Sequence, residues 1–442
     1  MRWRALCLLG LLPALLLPAA ATEGPWRLGG EPRAYALDNG LSVILQQDVA
    51  APITVVQLLV RSGDRDAPPG LSGMAYLVAR LCLEIPDQGA LQQLMDLGSS
   101  FSLAVGDEQS LVTIRCLSRH LDPTLAVLAS MMGAPLFSDL RIDGVKDLMR
   151  HLQKMEVDDP DFFMRKTVAA AFYGDSASGA ASFGTEASLR SITRKDVQSF
   201  FRSHFIAGNM IAVVISDLDE EEVRPLIAQR LGRLAAGERP PRRAVSPRRP
   251  PQPEQAVERR TAQTLVSVSM PLPERTADSF VLASLLESWL GKGIGSRLWR
   301  LRSRGELAYG LNAELQPNRE AMLLSVYLKT ENRRSAGAQA ELARLLQEIH
   351  GQGVGADELA SAKAYARAVF WRENETRERR AAFLAFLEGA GLSYRIAGDF
   401  AERLDKVGLE EFNTFLSSSL APERWFTLRI GPAAGEANGS YE

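Results

Sequence analysis

Apolar positions along this chain switch repeatedly between a two-residue and a three-to-four-residue period, the mark of mixed strands and helices. RAYALDNGLSVILQQD (33–48) predicts a hairpin, its Asn39-Gly40 pair supplying the positive φ of a tight turn. ITVVQLLVRSG (53–63) follows as a β-branched strand, and GLSGMAYLVARLCLE (70–84) takes helical spacing. Ala90 to Leu117 predicts a helix and two strands, and helices are expected over 121–134, 139–155 and 160–172. SITRKDVQSFFRSHF (191–205) reads as a helix opened by a Thr193 cap, leading into a buried strand at 211–219.

The order then repeats. TLVSVSMPLP (264–273) is a strand, SFVLASLLESWL (279–290) a helix, and EAMLLSVYLK (320–329) a strand. Two long helices, a helix over 408–420 and the strand WFTLRIG (425–431) complete the second half. Between the halves, GERPPRRAVSPRRPPQPEQAVERR (237–260) has prolines and arginines where apolar periodicity should be, and reads as an extended linker. The fold class expected is α+β, one fold used twice, each lobe a mainly antiparallel sheet covered by helices on one face. The divisions are a first lobe over 22–236, a linker over 237–262, a second lobe over 263–435 and a disordered tail over 436–442.

The first residues change the picture of location. Arg2 and Arg4 precede an apolar run from Ala5 to Leu17 and then Ala19-Ala20-Ala21, which together read as a cleaved secretory signal over 1–21. That run is shorter than the ~20 residues a membrane-spanning helix needs, and Pro13 and Pro18 interrupt it. A periplasmic or secreted protein is expected, with no membrane attachment after processing. Its formal net charge of −2, which loses two positive charges with the leader, gives no electrostatic reason to propose nucleic acid. Outside the leader only Cys82 and Cys116 remain, either two free thiols or one bridge.

Hydrolytic motifs are missing. The four histidines, His120, His151, His204 and His350, include no two at metal-ligand spacing, so neither HExxH nor HxxEH occurs. There is no GxSxG elbow, Walker loop or GxGxxG fingerprint. A dispersed triad stays open in principle, as does a site built from His151 with Glu156, Asp158 and Asp159. The segment EVDDPD, however, reads as a helix end with solvent-facing carboxylates.

Several segments, in order, resemble the pitrilysin-like (M16, insulinase-type) metallopeptidases. LDNGLSVILQQD is similar to the family's opening hairpin, VRSGDRDAPPGLSGMAYLVARL to the strand and helix that carry its zinc motif, and HLQKMEVDDPD to its acidic helix. FGTEASLRSITRKDVQSFFRSHFIAGNMIAVVISDLD resembles the end of its first lobe. The resemblance implies that Gly73, Tyr76 and Leu77 stand where active members carry HxxEH, and that His151 or Leu152 stands at the third ligand position. It therefore implies no metal and no catalytic residue in this chain. GSRLWRLRSRGELAYGL (295–311) resembles the segment whose Arg and Tyr reach a bound substrate, here Arg302 and Tyr309. The implied role is that of a substrate-binding subunit closing like a clamshell with an HxxEH-containing partner, which would hold the zinc, around an unfolded or short peptide. The alternative is a stand-alone peptide-binding or scaffold protein.

Overall fold

The computed structural model describes residues 29–84, 92, 95–174, 182–241, 246–305, 308–317 and 321–433. The expected signal over 1–21 and the expected disordered tail over 436–442 lie outside them. Six strands, β1 (Arg33–Ala36), β2 (Ser42–Gln47), β3 (Ile53–Val60), β4 (Ser100–Val105), β5 (Ser110–Leu117) and β6 (Met210–Ser216), form the first sheet. Their spatial order is β1-β2-β6-β3-β5-β4, antiparallel except where β2 and β6 run parallel. β7 (Glu254–Glu258), β8 (Thr264–Pro271), β9 (Gly310–Pro317), β10 (Met322–Thr330) and β11 (Phe426–Gly431) form the second, in the order β7-β11-β8-β10-β9. Only β7 and β11 are parallel there, so β7 to β11 reproduce the pairing of β2 to β6 strand for strand. The duplication read from the sequence is thus a duplication of topology.

The first lobe's own helices are α1 (Met74–Cys82), α2 (Leu121–Gly133), α3 (Asp139–Asp158), α4 (Pro160–Tyr173), α5 (Glu186–Ser191), α6 (Arg194–His204) and α7 (Glu220–Leu231). Thr193 caps α6 as expected, its hydroxyl accepting from Asp196 N–H. Val56, Leu58 and Val60 of β3 face α1 and its neighbours. The second lobe adds α8 (Ala277–Gly291), α9 (Trp299–Gly305), α10 (Ser335–Gln352), α11 (Ala356–Glu373), α12 (Arg377–Ala390), α13 (Ile396–Lys406) and α14 (Leu409–Ser419).

Two of these helices cross over. Val55 and Leu59 of β3, with Ile44, Ile211, Val213 and Ile215, pack on Ala381, Leu384 and Ala385 of α12, a helix from the second lobe. In return α4 of the first lobe lays Met164, Val168, Phe172 and Tyr173 on Leu265, Leu323, Phe426 and Leu428 of the second sheet. Each sheet therefore has its own helices on one face and one borrowed helix on the other. Strands buried on both faces need apolar side chains of both parities, which is why ITVVQLLV and MIAVVIS do not alternate. Each large aliphatic side chain so buried contributes roughly 1.5–3 kcal/mol.

The linker reading changes at its downstream end. Residues 254–258, inside the Pro/Arg-rich segment, are the edge strand β7. Pro253 sits just ahead of it, where its missing N–H costs nothing, and its carbonyl accepts from Thr427 N–H at 2.8 Å. Among the described residues no helix is long and apolar enough to cross a membrane.

Candidate functional site

Gly73 is the N-cap of α1, with φ +85°. A Cβ built on it would lie 2.6 Å from the amide nitrogen of Gly184 and 2.9 Å from Cε of Met149. Gly184, at φ +73°, would in turn drive a Cβ to 2.6 Å from the Ser72 carbonyl oxygen. Two left-handed glycines thus press together, and the space an imidazole would need at position 73 holds backbone. Three residues on, the Tyr76 ring meets Phe183 edge-on, centroids 4.7 Å apart. Burial raises its phenol above the ordinary value, against the pull of Arg80. Leu77 is wholly buried in the first lobe's core.

The wall facing these positions comes from α3, which Ser138 caps by accepting from Arg141 N–H. Met149 is fully buried beneath Gly73. Gln153 donates from Nε2 to the carbonyls of Phe183 and Gly184, both at 2.9 Å, and so pins to α3 the turn that packs against Gly73 and Tyr76. His151 lies on the solvent side of α3, its Nδ1 3.0 Å from the Asp147 carbonyl. Leu152 is half-buried and has no donor atom. The sequence points to His151 or Leu152, whereas the residues that pack against Gly73 and the turn at 183–184 are Met149 and Gln153. The one signal for the latter pair was the Gly-Thr-Glu turn at 184–186, which marks the segment that packs there.

These residues do not fit zinc. A glycine and a leucine offer no ligand atom, the tyrosine keeps its proton, and backbone fills the first seat. Among the described residues no group of three or more His, Cys, Asp or Glu is arranged to hold a metal ion. The acidic alternative around His151 does not assemble either. Asp159 is spent as the N-cap of α4, accepting from Asp161 N–H at 2.9 Å. Glu156, expected to face solvent, instead points inward to Lys166 at 3.9 Å. Burial pushes its carboxyl up to about 7 despite that amine. Nearby, burial pushes Asp64 up to about 7 as well, with Asp107 and Glu156 adding to the shift and Ser182 and Lys166 opposing it.

In the second lobe Arg302 is exposed on α9, its guanidinium 4.7 Å from the centre of the Trp299 ring. Tyr309 immediately precedes β9, and its N–H donates to the Lys329 carbonyl at 2.9 Å. Its ring is 57% exposed, and its hydroxyl donates to Glu331 Oε1 at 3.1 Å. Among the described residues no hydrogen bond or ring contact joins Arg302 and Tyr309 to each other or to Gly73, Tyr76 and Leu77. The structure holds the degenerate motif and the Arg/Tyr segment as separate features.

Cys82 and Cys116 are both buried and unbridged. Burial raises both thiols, Cys116 to about 11 against the pull of Thr124, so neither is a ready thiolate. His204 stacks on Phe200 at 4.2 Å, and the Nδ1 of His120 lies 3.0 Å from the Leu97 carbonyl. Both are structural histidines.

Comparison with known proteins agrees with this arrangement. Residues 42–186 match the family described as insulinase (peptidase family M16), and residues 191–365 match the peptidase M16 inactive domain. An uncharacterised zinc protease of Mycobacterium leprae is 26% identical over 415 residues, 90% of this chain and 92% of its own length. The non-peptidase homolog YmxG of Helicobacter pylori is 22% identical over 384 residues, 85% of this chain and 88% of its own. Among solved structures, a peptidase M16 inactive domain from Pseudomonas fluorescens superposes with a TM-score of 0.84 at 21% identity, covering 91% of this chain and 98% of that one. A protease from Helicobacter pylori gives 0.82 at 16% identity, covering 91% and 100%. With both lobes matched and the two-sheet topology shared, the chain belongs to the M16 (insulinase) peptidase family.

Proposed function

We propose that this chain is a non-catalytic M16 subunit that binds peptide and positions it for a separate, HxxEH-bearing M16 chain in an exported compartment. The observation that carries the proposal is the filled seat at Gly73. The place of the first metal ligand is taken by the Gly184 backbone and Met149, while Arg302 and Tyr309 stay exposed in the other lobe. Two of the similar proteins are named an inactive domain and a non-peptidase homolog, and others are named zinc proteases; the residues at 73, 76 and 77 support the non-catalytic reading.

In this role zinc and its chemistry come with the partner. Arg302 offers a planar fork of N–H donors to peptide carbonyls, and Tyr309 a phenol that both donates and accepts. Neither residue has to titrate, so the contribution is binding and orientation.

The test is to mix the purified mature chain with an HxxEH-bearing M16 chain from the same source. Co-elution of the two and hydrolysis of an unfolded peptide by the mixture are expected, with activity falling at least about tenfold when Arg302→Ala or Tyr309→Phe is used. Peptide binding by this chain alone, with no complex, would favour a stand-alone peptide-binding protein. Absence of both complex and peptide binding would refute the proposal.

A further inference from the structure

Tyr309 stands at one end of the second sheet, where the register brings five strand termini level. Gly310, the start of β9, lies opposite Lys329 near the end of β10. Thr330 at that end lies opposite Thr264, the start of β8. Leu265 lies opposite Ile430, and Gly431 opposite Glu258, where β11 and β7 end together. The turns just beyond these termini carry Arg259 and Arg260 between β7 and β8, and Arg333 and Arg334 after β10.

Asn332 holds the two turns together. Its Nδ2 donates to the Thr261 carbonyl at 3.1 Å, and its Oδ1 accepts from the Thr264 hydroxyl at 2.9 Å. Glu331, which accepts the Tyr309 hydroxyl, is shared through Oε2 by Arg333 at 2.7 Å and Arg334 at 3.4 Å. Among the described residues Glu258 is the other carboxylate along this rim, and Lys329 just inside it is paired with Asp161 at 2.8 Å. Among the described residues the rim carries four guanidiniums and two carboxylates; Arg259 lies over the Phe163 ring at 3.9 Å, Arg334 shares Glu331, and Arg260 and Arg333 are the exposed pair.

We infer that this rim selects peptides carrying acidic side chains. The inference rests on the reading of Tyr309 as a peptide contact and names the substrate class for that contact. Strands about 4.8 Å apart make the path from β9 to β7 roughly 19 Å, the length of about six extended residues. A peptide leaving Tyr309 along the rim passes the Arg333 turn and then the Arg260 turn. Guanidinium pairs with carboxylate through two parallel hydrogen bonds, so the recognition is geometric as well as electrostatic. Because Arg260 and Arg333 are exposed, each contact is weak and screened by salt, and the preference comes from their sum.

The experiment is fluorescence anisotropy on the full mature chain, with labelled peptides matched in length and apolar content that are acidic, uncharged or basic. At low salt the acidic peptide should bind at least about tenfold more tightly than the basic one, and at about 0.5 M salt the difference should fall below about twofold. The double variant Arg260→Glu, Arg333→Glu should reverse the order, and the single variant Arg260→Gln should narrow it, both judged on protein with an unchanged melting curve. Equal binding of all three peptides, or a preference that survives the double variant, overturns the inference and leaves the peptide-binding reading intact. No binding of any peptide overturns the inference, and if the chain forms no complex with an HxxEH-bearing M16 chain either, it overturns the proposed function as well.

Discussion

Gly73 and Gly184 meet backbone to backbone, each at positive φ and each with no room for a Cβ. That contact, more than the loss of any one ligand, makes the motif region a packing element. The substitution to Gly73 and the substitutions to Tyr76 and Leu77 were legible in the sequence because all three lie in one helix whose flanks identify it. Met149 and Gln153 were not, since only the docking of α3 on α1 brings them there, and no local spacing reports a contact across that much chain. Asp64 was equally silent in sequence, one acid in a Gly-Asp-Arg-Asp run, yet it is buried with its carboxyl raised to about 7. An unfolded aspartate titrates at about 3.9. The folded state therefore holds this proton more tightly, and the stability it contributes is complete below about pH 4 and lost as pH rises to about 7. Asp64→Asn should flatten the rise in stability on acidification across that window and leave the variant more stable than the parent above pH 7, as read from urea midpoints. An unchanged pH profile would mean that Asp64 does not carry the proton.

At the scale of elements, the exchanged helices do most to set the architecture. α12 is fastened to the first sheet by Arg377 and Arg380, 8% and 5% exposed, which share the Asp48 carboxylate. Arg377 also donates to the Ala51 carbonyl at 2.9 Å and to those of Ile53 and Asp48, and Arg380 to Gln46 Oε1 at 3.1 Å. Burial alone would raise Asp48, but the hydrogen bonds from Arg377, the Ala50 N–H and Arg380 outweigh it and hold the carboxyl at about 2. Its contribution is thus present above about pH 4 and lost as pH falls toward 2. Asp48→Asn, leaving two buried guanidiniums short of a counter-charge, should cost about 3 kcal/mol at neutral pH. A cost below about 1 kcal/mol would show that the carbonyl contacts suffice without the ion pair. Non-alternating runs such as ITVVQLLV do announce a sheet covered on both faces, but nothing in the amphipathic pattern of α4 or α12 says which lobe each covers. β7 and β9 escaped notice for a local reason. EQAVE is embedded among prolines and arginines, and GLNAELQP lacks the β-branched residues that mark a strand.

For the whole molecule, the reciprocal loan of α4 and α12 gives each sheet a second cover that its own lobe does not supply. The sequence conveyed the two-lobed plan because apolar periodicity repeats in each half. It conveyed the family because the matched segments keep their order. It did not convey the loan, which depends on contacts between halves. On the proposed function, the packed motif region leaves catalysis to another subunit and the second lobe contributes binding. Zinc content and peptide hydrolysis of the purified chain by itself test that most directly. No bound zinc and no hydrolysis above the buffer rate are expected, with or without added zinc. One zinc per chain together with chelator-sensitive hydrolysis would contradict it, and would mean that metal is held by residues other than those at 73, 76 and 77.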